Sequence, residues 1–254
     1  SFLAGAHVFP GGRVDDADWE ADDSWCDGLE AARGHWPDLD PAESVAYHIA
    51  AARELFEEAG LIVARDATGR LAAGDGRRAA LGVGRTDLLE GRMTLAALMR
   101  DQGLRLALDR LLPVGHWVTP DFEAKRFDTR FFLTVAPPGQ HATHDARETT
   151  QGSWMTAREA LDRCRAGEID LFPPTWGTLR DLARCSSVEA TVASVGTRAI
   201  FRREPRCIET GQGRLLVLPG DPLYPVPPGE RVTIVHPETR FVHDGRRWVP
   251  GVPE

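Results

Sequence analysis

Apolar positions along this chain follow two rhythms, one helical and one strand-like, and the balance shifts near residue 187. The clearest helical stretch lies between residues 40 and 60. There Val45, Ile49, Ala52, Phe56 and Ala59 recur at the three- and four-residue spacing of a single helix face. Asp40-Pro41-Ala42-Glu43 marks the start, with an N-cap carboxylate, a proline at the first helical position and a glutamate to complete a capping box. Gly60 marks the stop, because a glycine just past the last turn adopts the left-handed conformation at little cost. The pattern predicts a helix ending at Ala59. Shorter helices are expected near 95–100, 157–165 and 174–184, and the Gly-, Arg- and Ala-rich residues 65–80 read as a loop.

Strand-like alternation appears at 116–119 and again at 127–135. In the second, Phe127, Thr129, Phe131, Leu133 and Val135 alternate with Asp128, Arg130, Phe132 and Thr134, and Pro137-Pro138-Gly139 ends the run. Residues 4–14 read as a short strand entering a Gly11-Gly12 turn. Beyond residue 187 the pattern is one of hairpins: 206–209 with 214–218 around Gly211-Gln212-Gly213, and 240–243 with 246–249 around Asp244-Gly245. The proline-rich residues 219–228 cannot sit in a central strand. This mixture places the chain in the α/β (α+β) class.

Composition narrows the function. At 254 residues, 42% hydrophobic, the chain fits one large domain or a domain with an appendage. No apolar run approaches the roughly 20 residues that span a bilayer, so no membrane segment is expected. The start shows no basic segment followed by an apolar one, which argues against a signal peptide. It also lacks an initiator Met, which suggests that the natural N-terminus lies upstream. The net charge of -8 and pI near 5.5 are opposite to those of most nucleic-acid binders. An acidic chain that handles phosphates recruits divalent cations between its carboxylates and the substrate. The cysteines Cys26, Cys164, Cys185 and Cys207 form no CxxC pair and read as reduced thiols of a cytoplasmic protein.

The informative stretch is Arg53-Glu54-Leu55-Phe56-Glu57-Glu58-Ala59-Gly60-Leu61. At about 100° per residue, Glu54, Glu57 and Glu58 share one helix face, opposite the apolar one. Such carboxylates repel one another by a few tenths of a kcal/mol per pair. Arg53, one turn before Glu57, can pair with it, leaving Glu54 and Glu58 to bind hard cations through oxygen. The competing reading is a solvated acidic face.

These nine residues fit the second half of the Nudix box, GX5EX7REUXEEXGU, at every specified position. Phe9-Pro10-Gly11-Gly12 supplies the first half, with Asp18 where the pattern places Glu. The usual gap of seven residues is here 34, from Trp19 to Ala52. A long insertion at this place resembles the acyl-coenzyme A diphosphatase branch of the moiety-X-motif-19 type. Trp117-Val118-Thr119-Pro120, Arg126-Phe127-Asp128-Thr129-Arg130-Phe131-Phe132 and Pro173-Pro174-Thr175 resemble the same branch.

The resemblance implies a Nudix α/β/α sandwich with a mixed sheet over residues 1–186, with an insertion at about 19–40 and an N-terminal core strand lying outside the sequence. A small β-hairpin-rich extension is expected at 187–254. It implies Mg2+ or Mn2+ held by Glu54, Glu57 and Glu58 and the Gly12 carbonyl, with Arg53 orienting Glu57. Glu148, six residues before Trp154, is the candidate for a further acid, and the general base falls to Glu54 or Glu148. Arg126, Arg130 and Lys125 are candidates to meet substrate phosphates, set against a role at a soluble strand edge. The substrate expected is a nucleotide-containing small molecule, first coenzyme A or acyl-coenzyme A, cut to 3′,5′-ADP and (acyl-)4′-phosphopantetheine. The alternatives are ADP-ribose, a dinucleotide or a nucleoside triphosphate, and a non-catalytic nucleotide-binding module.

Among the other features, His141 and His144 read as solvated loop residues and His48 as packed. Trp19, Trp25 and Trp36 read more readily as packing of the insertion than as walls of an acyl channel.

Overall fold

The computed structural model describes residues 6–72, 76–143, 152–211, 213–226, 239–245 and 247–251. Its strands and helices, in chain order, begin with β1 (Ala6–His7), β2 (Cys26–Asp27), α1 (Leu29–Gly34), α2 (Pro41–Ala59) and β3 (Ala64–Arg65). Next come α3 (Arg78–Leu89), α4 (Leu95–Asp101), β4 (Arg105–Ala107), β5 (Leu112–Val118) and β6 (Asp128–Leu133). Then follow α5 (Ala157–Arg165), β7 (Asp170–Leu171), α6 (Pro173–Leu182), α7 (Val188–Thr197) and β8 (Arg202–Arg203). The last four strands are β9 (Arg206–Thr210), β10 (Gly213–Val217), β11 (Arg240–His243) and β12 (Trp248–Gly251). Contacts divide the chain into two compact units, one of Phe9–Pro113 with Phe132–Trp154, the other of Ser1–Val8, Val114–Phe131 and Met155–Glu254.

The unit built on Phe9–Pro113 has α2 at its centre. Strand β4 pairs parallel with β2 and antiparallel with β3, giving a small mixed sheet. Around it Trp25, Ile49, Phe56, Ile62, Leu98, Met99, Leu104 and Leu106 are buried together. The insertion is part of this core. Trp25 and Trp36 are 0% and 2% exposed, α1 packs against α2, and the Ser44 hydroxyl donates to the Ala32 carbonyl. Trp36 also meets the Phe132 ring edge-on at 5.7 Å. Burying two indoles removes enough apolar surface from water to explain why an insertion of this length folds at all. Trp19 differs, at 51% exposed.

Helix α3 occupies residues whose first part reads as loop from composition, because Gly82 and Gly84 weaken its helical signature. Gly84 is buried, and a Cβ there would run into the Leu98 side chain. The buried Leu98 side chain therefore takes the space that a side chain at 84 would need, at a position where local propensity disfavours glycine.

In the other unit β5 pairs parallel with β8 and has β6 on its opposite edge. Strand β1 pairs parallel with β7, and β9 to β12 form an antiparallel meander in the order β12-β11-β10-β9. The core here is Trp117, Leu161, Leu171, Trp176, Leu216, Leu218 and Phe241. The two expected hairpins are present. Helix α7, where only hairpins were expected, is capped by Ser187, whose hydroxyl accepts the Ala190 N–H at 3.1 Å. It buries only Val195, so its apolar stripe is too thin to register as a helical period.

Candidate active site

Helix α2 begins and ends where its sequence dictates. An Asp40 carboxylate oxygen accepts the Ala42 N–H at 2.8 Å, and Pro41 occupies the first turn. Gly60 closes the helix at φ +68°, donating its N–H to the Phe56 carbonyl at 2.9 Å. Val45, Ile49, Ala52 and Phe56 are buried as their spacing predicts, whereas Ala59 at the end of the stripe is only half-buried.

The acidic face is not a solvated one. The Glu54 and Glu57 side chains keep 13% and 15% of their exposure, and Glu58 is half-buried. Gly12 of the Gly11-Gly12 bend lies directly against Glu54. A Cβ on Gly12 would sit 2.6 Å from Cδ of Glu54, so only a glycine lets this backbone approach the carboxylate. Burial pushes the pKa of Glu54 and of Glu57 up, and the neighbouring Arg53 guanidinium opposes that rise without cancelling it.

Arg53 ties the site together. Its Nη1 donates to Glu54 Oε1 at 2.7 Å and to Glu57 Oε2 at 3.0 Å. Its Nε and Nη2 donate to the Asp18 carboxylate at 3.1 and 3.0 Å, and Nη2 also reaches the Arg13 carbonyl at 2.8 Å. Asp18 is 1% exposed, and its Oδ2 also accepts the Asp15 N–H at 2.8 Å. Burial lowers the pKa of Arg53, but Asp18, Glu54 and Glu57 outweigh that and raise it. This corrects one expectation: Arg53 holds Glu54 as well as Glu57. Asp18 and the Arg13 carbonyl draw the guanidinium across the acidic face, which helical spacing alone does not reveal. Asp18, which stands where the box pattern places Glu, is a buried partner of this arginine.

Among the described residues, no three His, Cys, Asp or Glu side chains are gathered into a metal-ready cluster. The donors nevertheless suit a hard divalent cation. They are all oxygen, two carboxylates converge on a single guanidinium nitrogen, and a glycine backbone abuts one of them. Glu148 and His144 lie outside the described residues. Thr143, the last described residue before them, donates its N–H to the Ala59 carbonyl at 2.9 Å, one residue beyond Glu58.

Arg126 and Arg130 belong to the other unit. Arg126 donates to the Thr119 carbonyl at 3.0 Å and to Glu204 at 2.8 Å while keeping 43% side-chain exposure. Arg130 is 3% exposed and lies 3.3 Å from Asp128. Lys125 stands over the Phe127 ring at 5.0 Å. His141 is exposed. His48 is fully buried, as its packed reading expects. Its Nδ1 meets the Ser44 carbonyl at 2.7 Å and its Nε2 meets His35 Nδ1 at 2.8 Å. A carbonyl only accepts, so His48 carries its proton on Nδ1 and His35 donates to its Nε2.

A glycine-glycine bend set against a glutamate-bearing helix, within a mixed α and β fold, defines the Nudix class of pyrophosphohydrolases, and this chain is such an enzyme. More narrowly, it belongs to the NUDT19 Nudix domain family, which it matches over residues 35–182. It is 31% identical to the acyl-coenzyme A diphosphatase NUDT19 of Gallus gallus, an alignment covering 89% of this chain and 70% of that protein. To the Homo sapiens protein of the same name it is 30% identical, covering 88% and 69%. The crystal structure of a NUDIX hydrolase from Alicyclobacillus acidocaldarius matches with a TM-score of 0.56 at 30% identity, over 78% of this chain and 85% of that one. Among the described residues no helix is long and apolar enough to cross a membrane.

Proposed function

We propose that this enzyme hydrolyses the diphosphate linkage of coenzyme A or acyl-coenzyme A, releasing 3′,5′-ADP and (acyl-)4′-phosphopantetheine, with Mg2+ or Mn2+ bound by Glu54, Glu57 and Glu58 and the Gly12 carbonyl. The single observation that carries the reading is the half-buried pair of carboxylates converging beside Gly12. The relatives named acyl-coenzyme A diphosphatase support the choice of substrate. The bound cation would neutralise the diphosphate oxygens and lower the pKa of the attacking water.

The chain's own residues do the rest. Arg53 fixes the Glu54 and Glu57 carboxylates in one orientation, and Asp18 beneath it keeps the guanidinium from swinging away. Positioned charge of this kind supplies most of the rate in phosphoryl chemistry. The proton of the attacking water passes to Glu54 or to Glu148.

The test is to incubate the purified chain with Mg2+ and a panel of coenzyme A, an acyl-coenzyme A, ADP-ribose, dinucleotides and nucleoside triphosphates. Products are identified by mass spectrometry. The reading expects 3′,5′-ADP and the phosphopantetheine half. Preferential turnover of ADP-ribose, with coenzyme A left intact, would reject it.

A further inference from the structure

The last turn of α2 is held by a residue that the Nudix box does not include. Arg85, on α3, donates from Nε and Nη2 to the Glu57 carbonyl at 2.9 and 2.7 Å. The same guanidinium reaches Thr143, with Nη1 to its hydroxyl at 2.9 Å and Nη2 to its carbonyl at 2.9 Å. Thr143 in turn donates its N–H to the Ala59 carbonyl at 2.9 Å. Nearby, the Gln140 side chain accepts the Ile62 N–H at 2.8 Å and donates to the Ile62 and Ala72 carbonyls at 3.0 and 2.9 Å. Gly60 makes room for this arrangement. A Cβ there would fall 2.7 Å from the Thr143 hydroxyl and 3.0 Å from Arg85 Nη1.

We propose that Arg85 is a positioning residue for the glutamate site, fastening the last turn of α2 and the segment 140–143 into one support. The inference rests on the divalent-metal reading of Glu54, Glu57 and Glu58 given above. The physical reason is local. The last carbonyls of a helix have no partner within it and carry partial negative charge, so a guanidinium is held there more firmly than a neutral donor would be. The planar fork of arginine satisfies Glu57 and Thr143 together, whereas a lysine ammonium is a single point donor on a flexible stem. With Arg85 in place, the backbone that bears Glu57 and Glu58 and the segment ending at Thr143 cannot shift independently. Without it, the glutamates stay on the helix but lose their fixed spacing from Thr143.

Three variants test this: Arg85→Ala, Arg85→Lys and Thr143→Val, the last removing only the hydroxyl that accepts from Nη1. Three readouts are taken: Mn2+ binding by electron paramagnetic resonance, amide hydrogen exchange over 57–60 and 140–143 in metal-free protein, and kcat and KM for coenzyme A with Mg2+. For Arg85→Ala the expected result is a roughly tenfold weaker Kd for Mn2+ and a roughly tenfold lower kcat. KM should stay within about twofold, with faster exchange at the Thr143 amide. Arg85→Lys should recover part of each loss, and Thr143→Val should move each readout the same way by less. Should Arg85→Ala fail to fold, the other two variants carry the test.

Mn2+ affinity and kcat at wild-type values in variants whose Thr143 exchange has risen would overturn the proposal, as would unchanged exchange in all three. A wild-type chain that binds Mn2+ but cleaves no member of the panel would reject the proposed function alone, leaving binding and exchange to decide on Arg85. A wild-type chain that binds no Mn2+ would overturn both.

Discussion

Replacing Gly12 with alanine separates the architecture of the site from the stability of the fold. The added Cβ would stand 2.6 Å from Cδ of Glu54, where ordinary contact begins at 3.4 Å, so the carboxylate must retreat by about 1 Å. The atoms displaced are the far end of a flexible side chain, and Gly12 is not among the glycines with positive φ. Folding should therefore cost little. Restricting the unfolded chain could even raise stability by about 0.5 kcal/mol. Catalysis should suffer far more, because a misplacement of this size costs on the order of 100-fold in rate. That corresponds to about 2.7 kcal/mol of activation free energy. The assay is kcat for coenzyme A hydrolysis with Mg2+, run beside a thermal melt of the same preparation. Wild-type kcat in Gly12→Ala would refute the placement of the Gly-Gly bend at the reacting centre. A large fall in Tm would show instead that Gly12 serves the fold.

Two further predictions concern the support beneath the site. Asp18→Asn leaves the buried Arg53 with one counter-charge fewer, and breaking a buried pair of this kind should lower stability by about 3 kcal/mol, read as a lower urea midpoint at unchanged m-value. An unchanged midpoint would mean that Glu54 and Glu57 alone hold the guanidinium. Burial depresses the pKa of His48 from 6.5 to about 4, so the unfolded chain takes up a proton across that interval that the folded chain refuses. Stability is therefore complete above pH 6.5 and falls by about 3 kcal/mol as the pH drops toward 4, as urea titrations along that range should show. Were His48→Leu to show the same slope over that range, the dependence would belong to other groups.

Much of this enzyme is written in short-range sequence terms. The limits of α2 follow from Asp40, Pro41 and Gly60, and the box glutamates follow from their spacing on its surface. The hairpins around residues 211–213 and 244–245 are equally local. What could not be read depends on partners distant in sequence. Arg53 reaches Asp18 across 35 residues, so its hold on Glu54 is invisible to helical spacing. Helix α3 keeps a glycine for the sake of Leu98, which defeats a propensity reading. Arg85 binds Thr143 from 58 positions away and belongs to no motif, so nothing in the pattern distinguishes it from a surface arginine. The insertion tryptophans were legible only as a choice between packing and a channel, and the burial of Trp25 and Trp36 decides for packing at those two.

The most direct test of the central claim is the Mg2+-dependent hydrolysis of coenzyme A by Glu57→Gln beside the wild-type chain, with folding monitored by circular dichroism. Glutamine keeps the size of the side chain and its bond to Arg53 but removes the charge. The account predicts a native melting profile and a kcat lowered by on the order of 1,000-fold or more. Wild-type turnover in a folded Glu57→Gln protein would contradict it.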